Sequence, residues 1–176
     1  MISNKKKNIY QTVDGQKVFA HKNILAARSL YFRSMFTSQL KEAKEGVVEI
    51  RTGIGFGVFN KFLKYLYSEQ LDFEDVNEAL DLLFVANLFQ NDSLKEELSA
   101  IIGAHISLDN CSRIYAHATN NECESLKIIC KNFMKLNYNV LRKFDKDFVE
   151  FEQEIQKELS LNNDNKPKTT QITRKS

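Results

Sequence analysis

The chain has 176 residues, with 25 Lys and Arg against 23 Asp and Glu, for a formal net charge of +2. That length suits one domain or a domain with an appendage, and that balance speaks against nucleic acid or an anionic membrane as the main partner. With 6 Gly and 1 Pro beside 43% hydrophobic residues, 13 Phe and 6 Tyr, the composition speaks against a disordered chain or a many-turned β-sandwich and favours helices around a real core.

In chain order, Ile9–Val13 and Lys17–Ala20 read as strands, and Asp14-Gly15 between them is a strong hairpin signal. From His21 to Phe36 the period becomes helical, through Ile24, Leu25, Leu30, Tyr31, Phe32, Met35 and Phe36. Ser29 is expected to split this stretch into two short helices by capping the second. Val47–Ile50 is a short strand candidate. Phe59, Phe62, Leu63 and Leu66 then fall at i, i+3, i+4, i+7, one face of a helix. Residues 71–73 read as a last short strand.

From Asp75 onward the pattern is helical. One helix carries Leu80, Leu83, Val85, Ala86, Leu88 and Phe89. Ser93-Leu94-Lys95-Glu96 has the S-x-x-E form of a capping box, starting a helix with Leu94, Leu98, Ile101 and Ile102. A helical pair follows over 108–119 and 122–136, parted by Asn120-Asn121. Its apolar residues are Leu108, Cys111, Ile114 and Tyr115, then Leu126, Ile129, Cys130 and Phe133. Leu141, Phe144, Phe148, Phe151 and Ile155 step 3, 4, 3, 4, one amphipathic helix ending near Leu159. That stripe is too short for a coiled coil and is expected to pack on the preceding helices. Residues 161–176, rich in Asn, Lys and Thr, are expected to be a disordered tail, because they lack the apolar surface to offset their ordering entropy.

Chemistry-bearing motifs are sparse. Gly53-Ile54-Gly55-Phe56-Gly57 is GxGxG rather than GxGxxG and has no βαβ context, so it reads as a plain loop. His21, His105 and His117 are scattered, and Cys111, Cys123 and Cys130 lack CxxC or zinc spacing, so no metal or cofactor is expected. An odd count of thiols fits a reducing compartment and packing as small hydrophobes. There is no catalytic triad, HExxH or P-loop, hence no enzyme is expected. The basic start shows no signal-peptide pattern and no apolar run approaches ~18 residues, so a soluble protein of cytoplasm or nucleus is expected.

The run Val13 to Ser29, with Ala20-His21-Lys22 and Leu25-Ala26-Ala27-Arg28-Ser29, resembles the signature of the BTB/POZ domain. Tyr31-Phe32, Met35-Phe36, Val48-Glu49-Ile50 and Phe62 to Tyr67 follow in family order and spacing. The resemblance covers roughly 8–104 and implies an α+β fold, a small mostly antiparallel or mixed sheet flanked by helices. Residues 105–160 resemble the all-α extension that follows many such domains, a 3-box or the start of a BACK domain.

The resemblance implies protein–protein interaction: docking onto a cullin-3-type scaffold to present substrates for ubiquitination, or oligomerisation without a ligase role. In such adaptors an apolar-x-Glu motif follows the Met-Phe helix, and Leu40-Lys41-Glu42 stands there. Phe36 and Tyr67 join these as cullin-contact candidates. A charged pocket at the dimer centre falls on Asn8, where the family often has Asp, and on Lys22, where it often has Arg. With 7 residues before Asn8, the family's N-terminal dimerisation helix is not expected, so a homodimer would use a reduced interface. No MATH, Kelch or zinc-finger region is seen to recruit a substrate.

Overall fold

In the computed structural model, residues 8–13, 16–38, 47–49 and 53–164 are described. Strands β1 (Asn8–Val13) and β2 (Gln16–His21) pair antiparallel, from Asn8↔His21 to Val13↔Gln16. That register leaves only Asp14 and Gly15 to connect them, as expected of this dipeptide, although the two residues themselves lie outside the described set. Strand β3 (Val47–Glu49) lies parallel to β1, giving the order β2-β1-β3. On β2 the period of two separates buried Ala20 from outward Phe19.

Helix α1 (Lys22–Arg28) buries Leu25, and α2 (Leu30–Thr37) buries Phe32 and Met35. Ser29 makes the break between them. Its backbone is extended, its N–H donates to Leu25 O at 2.9 Å, and its Oγ accepts from the Phe32 N–H at 3.3 Å. The same hydroxyl donates to Phe89 O at 2.5 Å, so one buried serine ends a helix, caps the next and ties both to a distant turn.

Helix α3 (Phe56–Ser68) buries the predicted face, Phe59, Phe62, Leu63 and Leu66. The stretch 71–73, read as a strand, is irregular instead. Leu71 and Phe73 are half-buried against the core on either side of exposed Asp72. Alternation here reflects a loop pinned by two side chains, with no ladder partner among the described residues.

Helix α4 (Val76–Leu88) is capped by Asp75, whose carboxylate accepts from the N–H groups of Asn77 and Glu78 at 2.8 and 2.9 Å. Those bonds hold the Asp75 carboxyl below its ordinary range. Leu80, Leu82, Leu83, Val85 and Ala86 are buried around most of its circumference, which makes it the central helix.

Helix α5 (Asp92–Ala104) corrects the capping-box reading. Its cap is Asn91, not Ser93: Asn91 Oδ1 accepts from the Leu94 N–H at 2.9 Å. The Asn91 amide also donates to Arg28 O at 2.9 Å. A buried asparagine that serves two elements outcompetes the exposed serine.

Helices α6 (Cys111–Asn120) and α7 (Glu124–Leu136) form the expected hairpin. A Cβ on Gly103 of α5 would meet Ile129 Cδ1 of α7 at 3.0 Å, so this glycine sets the closeness of the two helices. The single long helix expected next is divided into α8 (Tyr138–Phe144), a 3-10 turn (Asp147–Glu150) and α9 (Glu152–Asp164). Asp145 causes the division. Its Oδ1 accepts from the N–H of Asp147 at 2.9 Å and of Phe148 at 3.3 Å, and its Oδ2 accepts from Ser112 Oγ at 2.7 Å. Leu141, Phe148 and Ile155 keep their core places, while Phe144 is 72% exposed. The final helix also runs past Leu159 to Asp164, into the segment read as tail; residues 165–176 lie outside the described set.

One apolar cluster runs from Ala20 and Leu25 through α4 to Leu126, Cys130, Phe148 and Ile155, so the helical extension shares the core of the α+β part. Phe89 is its aromatic hub, with ring centroids of Phe32, Phe62 and Phe59 at 5.0, 5.2 and 5.6 Å. Among the described residues no helix is long and apolar enough to cross a membrane.

Candidate functional site

Of the residues singled out from sequence, Asn8, Lys22, Phe36 and Tyr67 stand around the start of α1. Strand β2 ends at His21 and α1 begins at Lys22. The His21 N–H donates to the Tyr67 hydroxyl at 2.8 Å, and that hydroxyl lies 3.0 Å from His21 Nδ1. The last turn of α3 thus fastens the hairpin to the helices. Tyr67 keeps 45% of its surface exposed and lines a shallow groove of about 450 Å³ with Asn23, Ile24 and Ala27 of α1. Arg28 and Glu69 form an ion pair at its end.

On the other side of the same helix start, the Lys22 ammonium lies 5.4 Å from the Phe36 ring centroid, a cation–π arrangement worth ~0.5–1 kcal/mol at such a site. Phe36 stacks on buried Phe32 with centroids 5.9 Å apart. Asn8 stands opposite His21 in the β1–β2 ladder, one residue from Lys22. The two positions that the resemblance assigns to a dimer pocket are therefore backbone neighbours, with Phe36 beside Lys22 and Tyr67 beside His21. Leu40, Lys41 and Glu42 lie outside the described residues.

Buried polar groups elsewhere are tied into the fold. Burial and a hydrogen bond to Glu97 push the Tyr65 phenol up to about 12. Burial and the Glu154 carboxylate do the same to Tyr115. Lys131 bridges Glu154 at 2.6 Å and Glu158 at 2.8 Å, and Lys135 reaches Glu158 at 2.8 Å, which docks α9 on α7. All three thiols are free and buried; burial pushes Cys130 up to about 12 and raises Cys111 as well. Cys111 and Cys130 thus lack the thiolate character that reactivity needs. Among the described residues no group of three or more His, Cys, Asp or Glu is placed to hold a metal ion.

Sequence reasoning missed a second groove, of about 530 Å³, between the α5–α6 connection and α8. Leu108, Val140 and Phe144 line it, and two of them were read as core positions of helical stripes. The signal that could have found it is Asp145-Lys146-Asp147, an aspartate placed to cap a new turn in the middle of the stripe.

Residues 6–106 match the BTB/POZ domain family. The chain is 27% identical to Kelch-like protein 40 of Xenopus tropicalis over 138 residues, 78% of this chain and 22% of that protein. It is 30% identical to human Kelch-like protein 23 over 121 residues, 66% of this chain and 21% of that protein. Kelch-like protein 24a of Danio rerio is 30% identical over 127 residues, 72% of this chain and 21% of that protein. The chain spans about a fifth of the length of the curated relatives it matches. The family match covers more than half of the chain, and the chain belongs to the BTB/POZ domain family.

Proposed function

We propose that this chain is the docking part of a protein-interaction adaptor that binds a cullin-3-type scaffold and presents substrates for ubiquitination. The observation that carries this reading is the BTB/POZ match over residues 6–106 together with similarity to Kelch-like proteins that continues past it. Residues 8–104 are the BTB unit in this reading, and 105–160 are the 3-box or BACK-like extension. Leu40 fills an apolar pocket on the cullin, Glu42 adds a polar contact, and Lys41, Phe36 and Tyr67 complete the surface. The protein catalyses nothing itself and raises the effective concentration of substrate near the ligase. It works in the cytoplasm or nucleus.

Burying one leucine contributes ~1.5–3 kcal/mol, so a single truncation can decide binding. Calorimetry of the chain with a cullin-3 N-terminal domain tests the reading, with a Leu40→Ala/Glu42→Ala variant beside it. Saturable binding by the wild type, lost in the double variant, supports it. No binding by the wild type, or equal binding by the variant, overturns the proposed mode.

A second reading, self-association without a ligase role, is favoured by Phe19, 62% exposed on β2 at the edge of the described sheet. Light scattering decides it: a monomer at micromolar concentration refutes the scaffold, and a dimer that a Phe19→Ser change dissociates supports it.

A further inference from the structure

Helix α9 is fastened to the fold mainly by its glutamates. Among its described apolar side chains, Ile155 is buried and Leu159 is half-buried against the core. Phe151, just before the helix, adds an edge-on contact with Tyr115, ring centroids 4.9 Å apart. Helix α7 beneath it, by contrast, buries Leu126, Cys130 and Met134.

The polar contacts are more numerous. Glu152 accepts from the Tyr138 hydroxyl at 2.8 Å and from Arg142 Nε at 2.9 Å. Glu154 accepts from the Tyr115 hydroxyl at 2.8 Å and pairs with Lys131 at 2.6 Å. Glu158 pairs with Lys131 and with Lys135, both at 2.8 Å. Three carboxylates of one helix thus meet three cations and two phenols supplied by α6, α7 and α8. Lys157, on the same helix, is exposed and makes no ion pair among the described residues. A terminal helix with so little buried apolar surface belongs to the low-stability end of a fold and opens locally before the core does.

The docked helix also silences two amines. Lys131 and Lys135 keep only 18% and 19% of their side-chain surface. Burial works to lower the Lys131 pKa, but hydrogen bonds to Glu154 and Glu158 outweigh it and hold the group above its ordinary 10.5. A paired ammonium has no lone pair with which to attack a carbonyl carbon. We propose that α9 is a strap gating two acylation sites: docked, it withholds the amines of Lys131 and Lys135, and lifted as a unit, it frees them to take an acyl group. In that step the ammonium gives a proton to solvent and Nζ forms an amide bond with the donor's carbonyl carbon. The donor's leaving group departs with the electron pair of the broken bond, and the nitrogen sheds its second proton. An acylated lysine has lost its charge and cannot pair again with Glu154 or Glu158, so the modification keeps the strap open. The inference does not rest on the cullin reading.

Hydrogen exchange and acetylation of the full chain test it together, both mapped by mass spectrometry, with the N-hydroxysuccinimide ester of acetic acid as donor. Amides of α9 should exchange about tenfold or more faster than those of α6 and α7. Raising salt from about 0.1 to 1 M shrinks the screening length from ~10 to ~3 Å and should widen that gap and speed acetylation of Lys131 and Lys135 relative to Lys157. Glu154→Gln/Glu158→Gln should raise both readouts about tenfold. Ile155→Ala leaves every ion pair in place and removes the apolar anchor, so it should free the same two lysines by lifting the strap alone. Exchange of α9 in step with α6 and α7 at every salt concentration overturns the proposal. So does wild-type acetylation of Lys131 and Lys135 as fast as Lys157, or faster α9 exchange in Ile155→Ala with no gain in their acetylation. The salt series on the wild type decides the matter should either variant fail to fold.

Discussion

Phe144 and Phe148 stand four residues apart in one apolar stripe, and the structure gives them opposite fates. Phe148 is fully buried, edge-on to Tyr138 with centroids 5.7 Å apart. A phenylalanine that leaves water entirely removes ~150–250 Å², or roughly 4–6 kcal/mol at ~25 cal/mol per Å² as an upper bound. Truncation to alanine typically costs about 3–5 kcal/mol. Phe144 is 72% exposed, so it has little burial to lose, at most about 1 kcal/mol. Urea unfolding followed by far-ultraviolet circular dichroism reads the difference. With a slope of ~2 kcal/mol per molar urea, Phe148→Ala should lower the midpoint by about 1.5–2.5 M, and Phe144→Ala by no more than ~0.5 M. Comparable shifts for the two variants would show that the helix runs unbroken through Asp145, as the stripe alone implies, and would refute the division argued here.

The same logic applies to the cap of α5. Asn91→Ala removes a cap and strands the carbonyl of Arg28, at a cost of about 2–4 kcal/mol, while Ser93→Ala should stay within ~0.5 kcal/mol; the reverse ranking in urea melts would restore the capping-box reading. Cys111, Cys123 and Cys130 should resist iodoacetamide in the folded protein and react once urea unfolds it, as mass spectrometry would record; prompt native labelling contradicts their burial. Hydrogen bonds from Lys131 hold Glu154 and Glu158 below their ordinary carboxyl range, with Lys135 adding to the second. Their contribution is therefore present above the unfolded value of 4.5 and is lost as pH falls through the lower folded values. Burial pulls Lys131 down, but its bonds to Glu154 and Glu158 leave it raised above 10.5, so its share is lost only as pH rises past that value. Because both carboxylates are partly exposed, the effect is about 1 kcal/mol or less. Glu158→Gln should flatten the acid limb of a midpoint-against-pH profile; an unchanged acid limb counts against the bridge.

Much of the architecture was legible in residue order because its causes are local. Asp14-Gly15 forces a two-residue connection on any strands that flank it, and the register of Val13↔Gln16 agrees. Ser29 needs only the N–H three residues on to start α2. Phe59, Phe62, Leu63 and Leu66 share a face whatever lies opposite. Of the candidate site, chain order placed Lys22 and Tyr67 near their elements. It gave no hint that Tyr67 would bond His21, 46 residues away, or that Phe36 would lie under Lys22.

The remaining features depended on partners far along the chain. Asn91 outranks Ser93 because the Arg28 carbonyl, 63 residues earlier, needs a donor. Asp145 breaks a well-formed stripe because Ser112, 33 residues earlier, meets its carboxylate once α6 and α8 are packed. Leu71 and Phe73 alternate like a strand yet join no ladder among the described residues, since strand pairing needs a second backbone and alternation alone cannot supply one. Periodicity reports which side chains prefer to leave water. Which backbone group, buried hydroxyl or neighbouring helix claims each polar residue is an outcome of packing, and here that outcome ended α8 and turned Phe144 toward solvent.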